Sequence, residues 1–223
     1  MKRCSSGRGE CRAAHLPLAP LAEQTTVMPA IHRRWTTADV RALQREQRAW
    51  PRYELIGGDL LVTPAPGWAH QIAVTEIWSL INAHLQHVPV GIAVTSPADL
   101  ELRPETVTQP DVFVVPADIR ASGGELQWSD VTALLLAVEV LSPGSAHTDR
   151  VEKRTLYLES NVAEYWIVDL EARVVERWTA ACDKPEILGQ QLAWQSGAGE
   201  EPLVIGLPAL FERVASKCRT ITR

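Results

Sequence analysis

Glu139 is the one carboxylate in an otherwise apolar segment, residues 133–141, whose length and composition are typical of a buried strand. A second acid, Asp111, begins another apolar segment, residues 111–115. If the two segments are antiparallel neighbours, and the start of one faces the end of the other, both carboxylates lie on one face at one end of a sheet. Adjacent acids repel each other and are costly to bury unpaired, so this arrangement predicts a bound cation.

The predicted cation is Mg²⁺ or Mn²⁺, because these hard ions take a few carboxylate ligands and keep water molecules for substrate phosphates. The register that brings the two acids together also pairs Phe113 with Ala137 and Val115 with Leu135. The alternative interpretation is that both acids reach solvent at the ends of their strands and bind nothing.

Lys153 is the candidate basic group. A helix predicted over about 149–160 places Asp149, Lys153 and Tyr157 on one stripe, since residues four apart lie on the same helix face. If this helix packs on the sheet, the Lys153 ammonium can position a water molecule and stabilise charge that develops on a phosphate. The alternative is a solvated lysine that pairs with Asp149.

Two earlier residues complete the candidate set. Glu54 lies between Tyr53 and Leu55 in a predicted hairpin, where it can be a further ligand for the metal or for water. His70 begins the core-facing stripe of a predicted helix and can contact a phosphate or a water molecule. The alternative for His70 is a hydrogen-bonded structural histidine.

Periodicity and turn signals predict the elements that position these residues. Gly57-Gly58 divides residues 53–64 into a β-hairpin with a primed turn, and apolar residues recur at helical spacing over 70–85. The other predicted elements are a helix entered at Thr36 or Thr37, strands at 90–95, 98–103, 164–169 and 173–178, and a strand and short helix within 203–217. The strand, helix, strand order over 133–169 predicts a parallel crossover, so the fold class is α/β or α+β, with helices covering the sheet.

The 223-residue chain is long enough for one sizeable core. Residues 1–27 have no periodicity, which predicts a disordered N-terminal extension or a misassigned leader, with Met28 as an alternative start and 28–223 as a single domain. No segment approaches the roughly 20 apolar residues of a membrane span, so we expect a cytoplasmic protein without a membrane partner. The four cysteines show no spacing typical of a zinc site or a disulfide framework.

The formal net charge of -5 opposes nucleic-acid binding, which usually requires a basic surface. The first 27 residues contain four basic and two acidic residues, so the remainder of the chain is more acidic still. Any function on nucleic acid must therefore depend on local charge at a site.

Four segments in order, "YELIGGDLLVTPAPGWAH", "QPDVFVV", "VEVLSPGSAHTDRVEKRTLY" and "VAEYWIVDLEARVVERW", resemble the Uma-two family of bacterial endonucleases. That family belongs to the PD-(D/E)XK restriction-endonuclease-like superfamily, and the resemblance covers roughly residues 35 to 215. It implies a restriction-endonuclease-like mixed β-sheet flanked by helices, with extra β-hairpins, and a magnesium-dependent phosphodiesterase site.

The resemblance also implies roles for single residues. The matching positions are Pro110-Asp111 for the "PD" element, Glu139 for the second acid, Glu54 and His70 for the early acid and histidine, Lys153 for the lysine and Tyr157 for the aromatic residue after it. The superfamily pattern has a lysine two residues after the second acid, where this chain has Leu141. The resemblance implies that Lys153 replaces that lysine from the helix.

Three functions remain open from the sequence. The first is a metal-dependent endonuclease, a homodimer acting on DNA, in which Asp111, Glu139 and Glu54 hold Mg²⁺ or Mn²⁺ and Lys153 orients the attacking water. The second is a catalytically degenerate nuclease fold that serves as a binding or assembly module, which the acidic charge and Leu141 favour. The third, a sugar-cleaving enzyme, requires the two acids to face each other across a cleft.

Overall fold

The computed structural model describes residues 34–46, 50–121 and 123–219, which fall within one compact unit, Arg34–Arg223. The predicted extension, residues 1–27, and Met28 lie outside the described residues. Among the helices of the described part, none is long and apolar enough to cross a membrane.

A six-stranded mixed sheet forms the centre of the fold. Its strands, in spatial order, are β3 (Gly91–Thr95), β4 (Val112–Pro116), β5 (Leu136–Val140), β6 (Glu164–Asp169), β7 (Val174–Thr179) and β8 (Glu186–Leu188). Only the β5–β6 pair in this sheet is parallel. The predicted parallel crossover and mixed sheet are therefore confirmed.

Four α-helices accompany the strands in the described part of the chain. They are α1 (Thr37–Glu46), α2 (Trp68–Leu85), α3 (Arg154–Leu158) and α4 (Leu207–Arg219). Thr36 caps α1, as predicted, because its hydroxyl accepts from the Asp39 backbone N–H at 3.2 Å and its own N–H donates to the Asp39 carboxylate at 3.1 Å. The predicted helix 70–85 is present and begins two residues earlier.

The two faces of the sheet bury different sets of side chains, because successive residues of a strand point to opposite faces. Val112, Val114 and Val138 pack in the cluster that includes residues of α2 and α4. Phe113 and Ala137 face the opposite cluster, which includes Tyr157 of α3. Each face of the sheet is therefore covered by helix.

Among the described residues, two hairpins lie outside the six-stranded sheet. In the first, β1 (Arg52–Ile56) pairs with β2 (Asp59–Thr63) through Gly57 and Gly58, whose φ angles of 61° and 88° fit the predicted primed turn. An isolated bridge from Leu55 to Val107 attaches this hairpin to the segment that precedes β4. The second joins β9 (Gln191–Trp194) to β10 (Leu203–Gly206).

Two predicted elements differ from those observed. The expected strand 98–103 is reduced to a single bridge between Leu100 and Thr108, which leaves this segment without a continuous ladder. The expected helix 149–160 begins with a π-helical turn, Thr148–Lys153, which continues directly into α3. Such wider turns are rare and occur frequently at functional sites.

Candidate active site

Asp111 and Glu139 lie on one face of the sheet, at the ends of adjacent strands. The observed β4–β5 register pairs Phe113 with Ala137, as predicted, and continued by two residues it brings Asp111 opposite Glu139. Both acids share the face of Phe113 and Ala137, so they point towards the side that carries α3. Both are buried, with 7 % and 4 % of their surface exposed.

The Lys153 ammonium is buried at the centre of the acids. Its Nζ lies 3.0 Å from Glu139 Oε1, 3.1 Å from Glu54 Oε2 and 3.8 Å from Asp149 Oδ1. The solvated-lysine alternative is therefore wrong, although Asp149 is one of its partners. Three carboxylates from three separate elements converge on one cation.

A chain of hydrogen bonds fixes this cluster. The Tyr157 hydroxyl donates to Glu139 Oε1 at 2.9 Å and lies 2.9 Å from the Thr108 hydroxyl. Glu54 Oε1 accepts from the Gln109 backbone N–H at 2.7 Å and from the Thr108 hydroxyl at 3.1 Å. Both oxygens of Glu54 are thus engaged by protein donors.

His70, at the start of α2, lies beside Asp111. Its Nε2 donates to Asp111 Oδ2 at 3.0 Å, and the same oxygen accepts from the Val140 backbone N–H at 3.0 Å. The other ring nitrogen, Nδ1, is buried without a hydrogen-bond partner. His70 therefore orients Asp111 in this structure.

Burial and charge set the protonation states in the cluster. Burial raises the pKa of Glu139 well above its usual range, although Lys153 opposes that shift. Burial also acts to raise the pKa of Asp111, but the hydrogen bond and charge of His70 and the Val140 N–H outweigh it and lower the pKa. Asp111 is therefore a carboxylate at neutral pH.

Lys153 remains an ammonium. Burial alone lowers the pKa of a lysine, but the charges of Glu139, Glu54 and Asp149 outweigh it and raise the pKa of Lys153 well above its usual value. An amine held so firmly in its protonated form cannot accept a proton at neutral pH. Its chemistry is to donate hydrogen bonds and to stabilise negative charge.

These groups line a cavity of about 470 Å³. Its polar residues include Glu54, Asp111, Glu139 and Lys153, and His70 also lines it. Within the described residues, no three His, Cys, Asp or Glu side chains are grouped to hold a metal ion. The Lys153 ammonium lies between Glu54 and Glu139.

Arg52 and Gln109 also line the cavity, and sequence reasoning missed both. Arg52 Nη1 lies 3.6 Å from Asp111 Oδ1, and Gln109 binds Glu54 through its backbone. Each lies two residues from a predicted site residue on an extended segment, Arg52 before Glu54 and Gln109 before Asp111. The period of two along a strand was therefore a signal that could have found them.

Comparison with known proteins shows which family the chain belongs to. The family model of Uma2, described as "Putative restriction endonuclease", matches residues 38–203. No curated protein matches the chain.

A crystal structure from Anabaena variabilis ATCC 29413, described as "a putative nuclease belonging to DUF820", shares 22 % identity with a TM-score of 0.62. The match covers 77 % of this chain and 96 % of that one, which confirms the fold. Since the family model matches most of the chain, including all the candidate residues, the protein belongs to the Uma2 family.

Proposed function

We propose that the protein is a metal-dependent endonuclease that hydrolyses phosphodiester bonds of DNA. Membership of a family described as "Putative restriction endonuclease" supports a nuclease function. The observation that carries the proposal is the Lys153 ammonium, buried with Glu54 and Glu139 and lining the same cavity as Asp111. This cavity combines the acids that a divalent ion needs with a cation for the phosphate.

Mg²⁺ or Mn²⁺ fits the donor set. Asp111 and Glu139 offer hard carboxylate oxygens at one end of the sheet, and two such ligands suffice for an ion that keeps water and substrate oxygens in its other positions. Asp111 Oδ1 lies 3.6 Å from Arg52, beyond hydrogen-bond distance, which leaves this oxygen weakly held. Glu54 is the further ligand predicted from the sequence, but Lys153, Thr108 and Gln109 hold its oxygens here, so an ion would have to displace one of these donors to bind it. A bound ion would polarise the scissile phosphate and lower the pKa of a water molecule.

The chain's own residues have separate roles in this proposal. Lys153 donates hydrogen bonds that orient the attacking water and stabilises charge on the phosphate. Tyr157 positions Glu139 through its 2.9 Å hydrogen bond, and His70 positions Asp111. Leu141, where the superfamily pattern has lysine, is compatible with this scheme because Lys153 reaches Glu139 from the helix.

The direct test is nicking of supercoiled plasmid by the purified protein with Mg²⁺ or Mn²⁺. We expect cleavage by the wild type, and loss of at least about 100-fold in rate in Glu139→Ala, Lys153→Ala and Asp111→Asn. Asp183→Asn, at an exposed acid far along the chain, is the matched control and should cleave normally. Circular dichroism establishes that each variant is folded.

Absence of cleavage by the folded wild type across DNA and RNA substrates would overturn the endonuclease and support the second candidate, a binding or assembly module. One observation favours that candidate, since Lys153 already compensates the buried acids without an added ion. Cleavage by Lys153→Ala at the wild-type rate would reject only the role proposed for Lys153. It would leave the rest of the endonuclease proposal intact.

The proposal includes a homodimer, because cutting both strands of DNA is most simply done by two symmetry-related sites. Light scattering that gives the mass of a single chain, under conditions where cleavage occurs, would contradict the dimer.

A further inference from the structure

The cavity of the candidate active site has two chemically different sides. One side carries the acids and Lys153, and the other is apolar and is contributed by the first hairpin and the residues just before and after it. Its residues are Trp50, Leu61, Val62, Pro64, Ala65 and Pro66. Phosphodiester hydrolysis uses only the polar side, so the apolar part needs a separate explanation.

Trp50 and Arg52 form a stacked pair at this cavity. The Arg52 guanidinium carbon lies 4.6 Å from the centroid of the Trp50 ring, and 37 % of Trp50 is exposed. Arg52 Nε is buried without a hydrogen-bond partner. An exposed indole packed on a guanidinium, with an unused donor beside it, offers stacking and hydrogen bonding together.

The pair adjoins the reacting centre of the proposed function. Arg52 Nη1 lies 3.6 Å from Asp111 Oδ1, and Arg52 precedes Glu54 by two residues on the same face of β1. A group that stacks on Trp50 is therefore held within the cavity that contains Asp111 and Lys153.

The size of the cavity favours single-stranded over double-stranded nucleic acid as the ligand. About 470 Å³ lies within the roughly 300–1,000 Å³ of small-molecule sites, which suits a nucleotide-sized segment of one strand. In a duplex, each base is covered on both faces by its neighbours, whereas an unpaired base has a free face to stack on an aromatic ring or a guanidinium.

The charge of the cavity points the same way. Among the described residues, the cavity is lined by four acids and by two basic residues, Arg52 and Lys153. The whole chain has a net charge of -5. Duplex binding obtains most of its affinity from phosphates neutralised by many Lys and Arg side chains, and this lining offers few. Stacking is the remaining source of affinity.

We propose that Trp50 and Arg52 form a stacking site for an unpaired base next to the cleaved phosphodiester bond, so that the substrate is single-stranded or locally unpaired DNA. This inference rests on the proposed function, whose substrate it narrows. Any double-stranded part of the substrate therefore lies outside this cavity.

The test is binding without catalysis. A fluorescein-labelled oligo-dT of about 12 nucleotides, within the range of single-strand site sizes, and a labelled duplex of equal length are titrated by anisotropy at low salt in EDTA. We expect the single strand to bind at least about 10-fold more tightly. Trp50→Ala should weaken that binding by about 5- to 150-fold, the range for one stacked base, and Trp50→Phe should retain most of it.

Trp128→Ala is the matched control, because Trp128 is similarly exposed, at 43 %, and lies outside the cavity. It should bind as the wild type does. An oligo-U of equal length distinguishes RNA, which should bind no better than the DNA strand if the base alone is recognised.

The outcomes separate this inference from the endonuclease. Tight binding of the single strand that depends on Trp50, in a protein that cleaves nothing, supports the stacking site and rejects only the nuclease. Cleavage of duplex at equal rates by the wild type and Trp50→Ala supports the nuclease and overturns the stacking site. Equal affinity for both DNA forms, or no binding to either, also overturns it.

Discussion

Lys153 is the residue on which the buried charges depend. Its ammonium lies within 3.1 Å of Glu54 and Glu139, and the side chains of all three are at least nine-tenths buried. A buried charge is tolerated only when it is paired, so each partner here requires the others. The same mutual dependence raises the pKa of Lys153, against the effect of burial, and keeps it cationic.

We predict that Lys153→Met, which keeps the length of the side chain and removes the ammonium, destabilises the protein by about 3–5 kcal/mol, because it leaves buried acids without their cation. Urea unfolding followed by tryptophan fluorescence measures the change. Lys184→Met, at an exposed lysine, is the control and should fall within about 0.5 kcal/mol of the wild type. A loss for Lys153→Met no larger than that of the control would show that the acids do not need this cation.

The π-helical turn Thr148–Lys153 is the element that brings Lys153 into the cluster. Asp149 and Lys153 are the two residues that it buries. The Tyr165 hydroxyl of β6 donates to the Asp149 backbone carbonyl at 3.1 Å, which ties this turn to the sheet. The continuation into α3 then places Tyr157 next to Glu139. The irregular turn and the helix that continues it thus bring Asp149, Lys153 and Tyr157 to the end of β5.

Away from the site, α2 and α4 are joined by Glu76, which accepts from Arg213 Nε at 2.8 Å and from Lys217. These hydrogen bonds lower the pKa of Glu76, and burial opposes them only in part. An acid whose pKa is lower in the folded chain stabilises it above its unfolded-state pKa, about 4.3, and this contribution is lost as the pH falls through the folded-state value.

We predict that Glu76→Gln lowers the free energy of unfolding at pH 7 by up to about 1 kcal/mol, since solvent screens the half-exposed Arg213 and Lys217. The difference from wild type should shrink below about pH 4 and vanish once Glu76 is protonated. Urea titrations at pH 7 and pH 3 measure it. Glu212→Gln, whose partner Arg219 is exposed, should change little at either pH, and an undiminished Glu76 effect at pH 3 would contradict the charge-based explanation.

At the scale of the whole molecule, an acidic chain gathers several of its acids in one cavity. The net charge of -5 gives no general attraction for DNA, so the DNA binding that we propose depends on the cavity itself. A divalent ion bound there, as we propose, would reverse the local charge and relieve repulsion between Asp111 and Glu139.

We predict that millimolar Mn²⁺ or Mg²⁺ raises the melting temperature, because an ion that binds only the folded chain stabilises it by mass action. Each kcal/mol by which the ion increases the free energy of unfolding should raise Tm by about 2–4 °C for a chain of this size. Differential scanning fluorimetry with and without EDTA measures the shift. Asp111→Asn should remove it and the exposed control Asp183→Asn should keep it. No shift in the wild type would favour the binding or assembly module.

The sequence by itself determined the two apolar strands that carry the acids. The period of two along a strand set which side chains share a face, and the register assumed between the strands, which pairs Phe113 with Ala137, is the one observed. Helical spacing determined α2, and glycines determined the turn of the first hairpin, because such patterns depend on local backbone geometry. The strand expected at 98–103 is not continuous, because a strand needs a neighbouring strand to hydrogen-bond with, and the local sequence pattern does not show whether one is present.

Only the tertiary structure decided how the charges meet. Glu54 lies 99 positions before Lys153, and nothing in either local pattern indicates that the first hairpin folds against the end of β5 so that they form an ion pair. The π-helical turn and the contact of Arg52 with Asp111 are likewise results of packing. Burial and the distances between charges set the pKa values, and both arise only when separate elements close one cavity.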